Sequence, residues 1–136
     1  MANSFSKIKF TEEGGLACWY INKTGGASVK GVIVEVSTGI DNAVRTAATS
    51  ADHPIGVTYT AGIADGTGMW VVVSGRAEVL SDTGGFTWHD RLITSVTAGS
   101  VLVSNTPAAA AHFQEIGHAS STAAASGLGM ATIHFL

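Results

Sequence analysis

The hydrophobic positions of this chain follow the short period of β-strands. The clearest run is residues 68–80, which begins with β-forming residues that are apolar on both faces. It ends in strict alternation, with Arg76 and Glu78 pointing one way and Ala77 and Val79 the other. Such a strand must be covered on both sides in its first half, while its second half can face water on one side. We therefore predict one long strand that links a fully buried region to a half-exposed one.

Shorter runs of the same type follow along the chain, separated by Gly, Asn, Asp and Ser. Strands are predicted over residues 16–21, 28–36, 43–45, 54–59, 91–96, 100–104, 112–119 and 129–136. In the second of these we expect Val32, Val34 and Val36 to share a face. Gly99 lies where a three-residue hairpin loop needs a left-handed residue. The last strand should pair inside the sheet, since it runs to the end of the sequence.

These elements predict an all-β fold, a small β-barrel or sandwich of about eight to ten short strands. Residues 1–13 are polar apart from Phe5, Ile8 and Phe10, and are predicted to form an extended N-terminal arm or an edge strand. Residues 14–136 show no repeat, linker or change of composition, which predicts a single β-domain.

Composition adds an expectation about the surface. Ala, Gly, Ser and Thr make up 65 of the 136 residues, which disfavours a helical protein with a Leu-rich core. Charged residues are 12% of the chain, against about 25% in an average soluble domain. Low charge with many small residues indicates that much of the surface faces other protein.

Charge and cysteine content exclude several classes of function. The formal net charge is −3 and Lys and Arg do not cluster, so we expect no nucleic-acid groove. The single cysteine, Cys18, excludes an internal disulfide and a Cys-based zinc site, and its apolar neighbours predict a buried position. No apolar run approaches 18 residues, and residues 1–4 lack the features of a signal peptide. We expect no membrane partner and synthesis in a cytoplasm.

Histidine spacing argues against a metal site within one chain. The five histidines are His53, His89, His112, His118 and His134. No two have the i, i+2 strand spacing that would aim both at one ion. His112 and His118 share a face of a regular strand, but six residues separate them by roughly 20 Å. The prediction is therefore no metal and no cofactor, although a ring of histidines around a symmetry axis stays open.

The motifs of catalysis are also missing from the sequence. No Gly-x-Ser-x-Gly elbow is present, and the acidic pairs are expected to be solvated, so we predict that the chain is not an enzyme. Of the three tryptophans, Trp70 heads the apolar strand and is assigned to the core. Trp88 lies between glycines and charges in a predicted loop, which makes it a candidate for a contact with a partner.

The order of several motifs resembles a known family. The motifs are Pro54-Ile55-Gly56-Val57, residues 71–79, the hairpin of residues 91–104, Ile116-Gly117-His118-Ala119 and residues 129–136. Together they resemble the capsid cement (head decoration) proteins of tailed bacteriophages, the DUF2190-type family, over roughly residues 30 to 136. Members usually carry Gly-Asp at the positions of His89-Asp90, so a different local turn is expected here.

The resemblance implies a barrel-like homotrimer on the outer surface of a phage head, made in the host cytoplasm, with the major capsid protein as its partner. Such a protein would stabilise the shell. Our hypothesis is that the N-terminal arm lies on the capsid, with Phe5, Ile8 and Phe10 as apolar anchors. Lys7 and Lys9 would then face acidic residues of the shell, and Trp88 is a further candidate contact.

An alternative stays open at this stage. The tryptophans of a β-domain can stack on sugars, so the chain could instead be a carbohydrate- or receptor-binding module of a head fibre or tail.

Overall fold

The computed structural model describes residues 7–105 and 113–135, and these form ten β-strands and no α-helix. The strands are β1 Ile8–Phe10, β2 Gly15–Asn22, β3 Ile33–Val36, β4 Ala43–Thr46, β5 Pro54–Thr58, β6 Gly68–Leu80, β7 Arg91–Thr94, β8 Val101–Val103, β9 Glu115–Ala119 and β10 Leu128–Ile133. The prediction of an all-β fold with eight to ten short strands is confirmed.

Five of the strands close on themselves into a small barrel. The strand order is β1-β2-β4-β3-β5-β6-β10-β9-β7-β8, and β2 also pairs with β6, which closes the ring β2-β4-β3-β5-β6. The pairs are antiparallel except for β2 with β4. Strands β10, β9, β7 and β8 extend the sheet from the second half of β6, while β1 is added outside β2. The architecture is therefore a barrel with outer strands.

Strand β6 carries the pattern that its sequence predicts. Val71 and Val72 are both fully buried although they point to opposite faces. Further along, Ala77 and Val79 are buried while Arg76 is exposed. The first half of β6 pairs with β2 and β5, and the second half pairs with β10. The predicted change from two covered faces to one is confirmed.

The core consists of two apolar clusters on opposite faces of the barrel wall. The smaller cluster, inside the barrel, contains Val34, Val44, Met69 and Val71. The larger cluster lies between the outer face of the barrel and the strands β7 to β10, with side chains such as Val72, Leu92, Ile116 and Ile133. Most of these side chains are Val, Ile or Ala, as expected where β-branched residues pack on a pleated surface.

The prediction of a strand over residues 28–36 is wrong in its first half. Gly31 has a φ of 90°, and the strand begins only at Ile33. The register shift against β5 after Val34 leaves Ile55 of β5 as the extra residue, while β3 pairs with β4 without a break. Val34 and Val36 therefore share a face as predicted, but Val34 is fully buried whereas Val36, at the end of the strand, is 56% exposed.

Two predictions about the second half of the chain are confirmed. Gly99 has a φ of 80°, the left-handed conformation expected in the loop between β7 and β8. Strand β10 lies between β6 and β9, so it pairs on both edges. The strand predicted over residues 112–119 is shorter in the structure and begins at Glu115. Residue 112 lies outside the described part of the chain.

Candidate functional site

Strand β1 holds most of the residues that the sequence singled out as contacts. It pairs antiparallel with β2, with Ile8 opposite Cys18, Lys9 opposite Ala17 and Phe10 opposite Leu16. Because successive residues of a strand point to opposite faces, Ile8 and Phe10 share one face and Lys9 lies on the other. The described part of the N-terminal segment is therefore an edge strand, the second of the two predicted forms. Phe5 lies outside the described residues.

The apolar side chains of β1 are exposed to solvent. Phe10 is 84% exposed and Ile8 is 56% exposed. A shallow depression of about 450 Å³ lies beside Ile8, and Cys18 and Tyr20 of β2 line it as well. Cys18 is half-buried, not fully buried as its apolar neighbours predict, because it faces this depression. Large exposed apolar side chains on an edge strand are typical of a contact surface.

The lysines of this region lie over aromatic rings. The Lys9 Nζ is 4.8 Å from the centre of the Trp70 ring and 5.4 Å from that of Tyr59. The Lys7 Nζ is 6.0 Å from the centre of the Trp19 ring. At such distances the negative face of an aromatic ring attracts the ammonium group. The lysines are therefore held by the chain's own aromatic residues and present positive charge from a fixed position.

The aromatic residues under the lysines come from separate strands. Trp19 on β2 lies opposite Trp70 on β6, and their ring centres are 5.1 Å apart in an edge-to-face arrangement. Lys30 joins the group, since its Nζ is 4.9 Å from the Tyr59 ring and forms an ion pair with Glu13. The hydrogen bond to Glu13 is the largest cause that raises the pKa of Lys30. We call Lys7, Lys9, Lys30, Trp19, Tyr59 and Trp70 the lysine–aromatic face.

Trp88 lies in a different part of the fold. It occupies the turn that precedes β7 and is 63% exposed. The Asp90 carboxylate fixes this turn: Oδ2 accepts hydrogen bonds from the backbone N–H and the hydroxyl of Thr87, and Oδ1 accepts one from Asn105 Nδ2. These bonds, the one from Asn105 first, lower the pKa of Asp90. Trp88 is thus presented at the tip of a well-fixed turn.

The structure therefore divides the predicted contacts into groups. Lys7, Ile8, Lys9 and Phe10 lie together at the edge strand, and Trp88 belongs to the turn before β7. The sequence missed the roles of Trp19, Tyr59 and Trp70 beneath the lysines, because strand register alone brings them together. The sequence assigns Trp70 to the core, and the residue does pack against the larger core cluster, but it is only half-buried.

Within the described residues, no helix is both long and apolar enough to cross a membrane.

Comparisons with known proteins add a structural likeness. No family model matches the chain, and no curated protein matches it. One solved structure with a similar fold is the head fiber gp8.5 N base of bacteriophage phi29, with a TM-score of 0.60 and 17% sequence identity. The match covers 87% of this chain and 92% of that one. At this identity the likeness shows the fold, which the two chains share over almost their whole lengths.

Proposed function

We propose that this chain is a structural protein of a bacteriophage head, and more specifically a decoration protein that binds the outer surface of the shell as a homotrimer and stabilises it. The observation that carries the proposal is the likeness to a phage head fibre base over 87% of the chain. The sequence motifs that resemble cement proteins point to the same part of a virion. The major capsid protein is the proposed partner.

The edge strand β1 suits the contact with the shell. It lies at the end of the strand order, and its side chains Ile8 and Phe10 project into solvent. An aromatic side chain that is almost fully exposed can bury a large apolar area when it fills a pocket of a partner. Phe10 is therefore the proposed central anchor of the contact.

The lysine–aromatic face supplies the electrostatic part of the contact. Lys9 is already oriented by Trp70 and Tyr59, so less side-chain entropy is lost when it meets an acidic residue of the shell. Lys9 lies on the face of β1 opposite Ile8 and Phe10, so the proposed contact involves both faces of the edge strand. Positive charge there favours encounter with an acidic surface and fixes the orientation of docking.

A trimer would strengthen contacts that are weak one at a time. When one subunit has docked, its two partners are held close to further sites, so the effective concentration for the next contact is high. A protein that binds the assembled shell and not its separated subunits shifts the equilibrium toward the intact head. No chemical step is needed, so the prediction that the chain is not an enzyme forms part of this proposal.

The test uses heads that lack this chain, to which purified protein is added back. We expect the wild-type chain to occupy the heads and to raise the temperature at which they release DNA. Phe10→Ala should weaken binding by about tenfold or more, while its own folding is little changed because the side chain is exposed. Val96→Ala is the matched control, since Val96 is 67% exposed in the hairpin between β7 and β8. Equal binding by both variants would exclude β1 as the contact.

The oligomeric state is a separate test of the proposal. Native mass spectrometry of the purified chain should give a trimer, either alone or after binding to the shell protein. A chain that remains a monomer in both conditions would contradict the homotrimer.

The head fibre base among the similar structures favours a second candidate function. In this alternative the chain is the base of a head fibre or a module that binds carbohydrate or a receptor, and Trp88 is the contact. A glycan array with wild type and Trp88→Ala separates the two functions. Glycan binding by the wild type that is lost in Trp88→Ala supports the alternative. Normal head occupancy by Trp88→Ala, with no glycan binding by either protein, supports decoration.

A further inference from the structure

Two histidines that are far apart in the sequence lie side by side on the surface of strands β9 and β10. His118 is opposite Thr132 in the antiparallel pair, and His134 follows two residues beyond Thr132. The pairing continues past the end of β10, since the backbone N–H of His134 donates to the carbonyl of Ile116. His118 and His134 therefore occupy diagonal positions on one face of the sheet, which are within reach of long side chains.

A bulge in β9 adds a carboxylate to the same face. On β7, Arg91 lies opposite His118 and Ile93 lies opposite Glu115, so four residues of β9 lie opposite three residues of β7. In a regular strand, positions three apart point to opposite faces. The extra residue of the bulge brings Glu115 to the face of His118, as bulges commonly do when they re-aim a side chain.

The three side chains bring possible ligand atoms close together. His134 Nε2 is 3.4 Å from His118 Nδ1 and 3.5 Å from Glu115 Oε1. One atom of each residue lies within 4.8 Å of the other two. Two ligands of a tetrahedral zinc ion at ~2.0–2.1 Å are separated by about 3.3 Å. Both distances from His134 are therefore close to those of a coordinated pair.

The surroundings suit a metal site with an open position. The Arg91 guanidinium donates to Glu115 Oε2 at 3.1 Å, which leaves Oε1 directed at His134. A hydrogen-bonded partner of this kind fixes the orientation of a ligating carboxylate. Glu115 is buried, whereas the two imidazoles are exposed. Water or a group from another molecule can reach the fourth position.

We propose that Glu115, His118 and His134 form a binding site for a divalent transition metal ion of the zinc class. Two imidazoles and one carboxylate are ligands that zinc takes in proteins. The ion would link His134, which follows β10, to His118 and Glu115 of β9. The proposal opposes the expectation of no metal, which rested on spacing along the chain, and it does not depend on the function proposed above.

The test is zinc titration of chelator-treated protein by calorimetry, with cobalt as a spectroscopic probe. We expect one zinc ion per chain, a rise in melting temperature with zinc, and the visible absorption of four-coordinate cobalt. His118→Gln and His134→Gln should each weaken zinc binding by about tenfold or more. His53→Gln is the matched control, an exposed histidine outside the cluster.

Three results would overturn the proposal. The first is that the wild type does not bind zinc. The second is that His118→Gln and His134→Gln bind zinc as well as the wild type does. The third is that His53→Gln loses zinc binding as much as these two variants do. The first result would leave the cluster as a side-chain contact between Glu115 and His134. Circular dichroism of each variant verifies that the fold is kept.

Discussion

At the scale of single residues, short polar side chains fix the turns of this sheet. Asn22 is fully buried and uses both ends of its amide. Its Nδ2 donates to the carbonyls of Gly26 and Ile63, and its Oδ1 accepts from the backbone N–H and the hydroxyl of Thr24. A buried amide is tolerated only when it is hydrogen-bonded in this way. The Asp90 carboxylate has the corresponding role in the turn that presents Trp88.

The first prediction concerns His89, which has a φ of 72° in that turn. A hydrogen bond from Asp90 N to the carbonyl of Thr87 places His89 at the third position, where a positive φ favours glycine. We expect His89→Gly to raise the free energy of unfolding by up to about 1 kcal/mol, measured by urea denaturation. The control His53→Gly, at a residue without positive φ, should not stabilise. A loss of stability in both variants would contradict the argument.

The second prediction concerns the pH dependence that Asp90 contributes. Its pKa is lowered in the folded chain, so its charged form stabilises the fold above the unfolded carboxyl pKa of about 3.9. This contribution is lost as the pH falls through the lower folded value. Asp90→Asn should therefore cost stability at neutral pH, and the difference from wild type should shrink in acid. The exposed Asp41→Asn is the charge-matched control, and a difference that does not change with pH would refute this role of Asp90.

At the scale of elements, bulges and glycines decide which side chains share a face. Gly117 lies in the bulge of β9 and pairs with Leu92 and Ile133. A Cβ at this position would lie 2.1 Å from the backbone oxygen of Thr132 and 2.9 Å from Cα of Ile133. Only glycine lets β10 approach β9 so closely, and this approach brings His134 to His118.

The third prediction is that Gly117→Ala destabilises the fold by about 1–3 kcal/mol, because β10 must move away from β9. Zinc binding should weaken in the same variant if the cluster is a metal site. Thermal and urea unfolding measure the first effect, and calorimetry measures the second. Gly26→Ala is the control, since a Cβ there meets nothing within 4 Å. Equal stability of the two variants would show that the strands adjust without cost.

At the scale of the whole molecule, β6 joins the two halves of the core. Its residue Val71 belongs to the cluster inside the barrel, and its neighbour Val72 belongs to the cluster under the outer strands. Both clusters therefore rest on the same backbone, and neither can lose its packing without disturbing the strand that supports the other. A shared central strand favours unfolding as one unit.

The fourth prediction follows from that sharing. Val71→Ala and Val72→Ala should each lower the free energy of unfolding by about 1–3 kcal/mol, and each should leave a single transition. Within each variant, tryptophan fluorescence and circular dichroism should give the same midpoint of unfolding. Separate transitions for the two probes would show that the barrel and the outer strands unfold independently.

The sequence by itself determined the fold class and most strands of this protein. Alternation and turn residues are local properties, so β6 and the loop at Gly99 could both be read from neighbouring residues. The same is true of the exposed Trp88, which lies between turn residues.

Only the tertiary structure decided which strands pair and in which register. Barrel closure by β2 and β6 placed Trp19 against Trp70 beneath the lysines. The bulge in β9 and the pairing of β9 with β10 joined Glu115, His118 and His134. These contacts depend on packing between segments that are distant along the chain. No periodicity within a single segment encodes such contacts, because register is set by the fit of one strand to another.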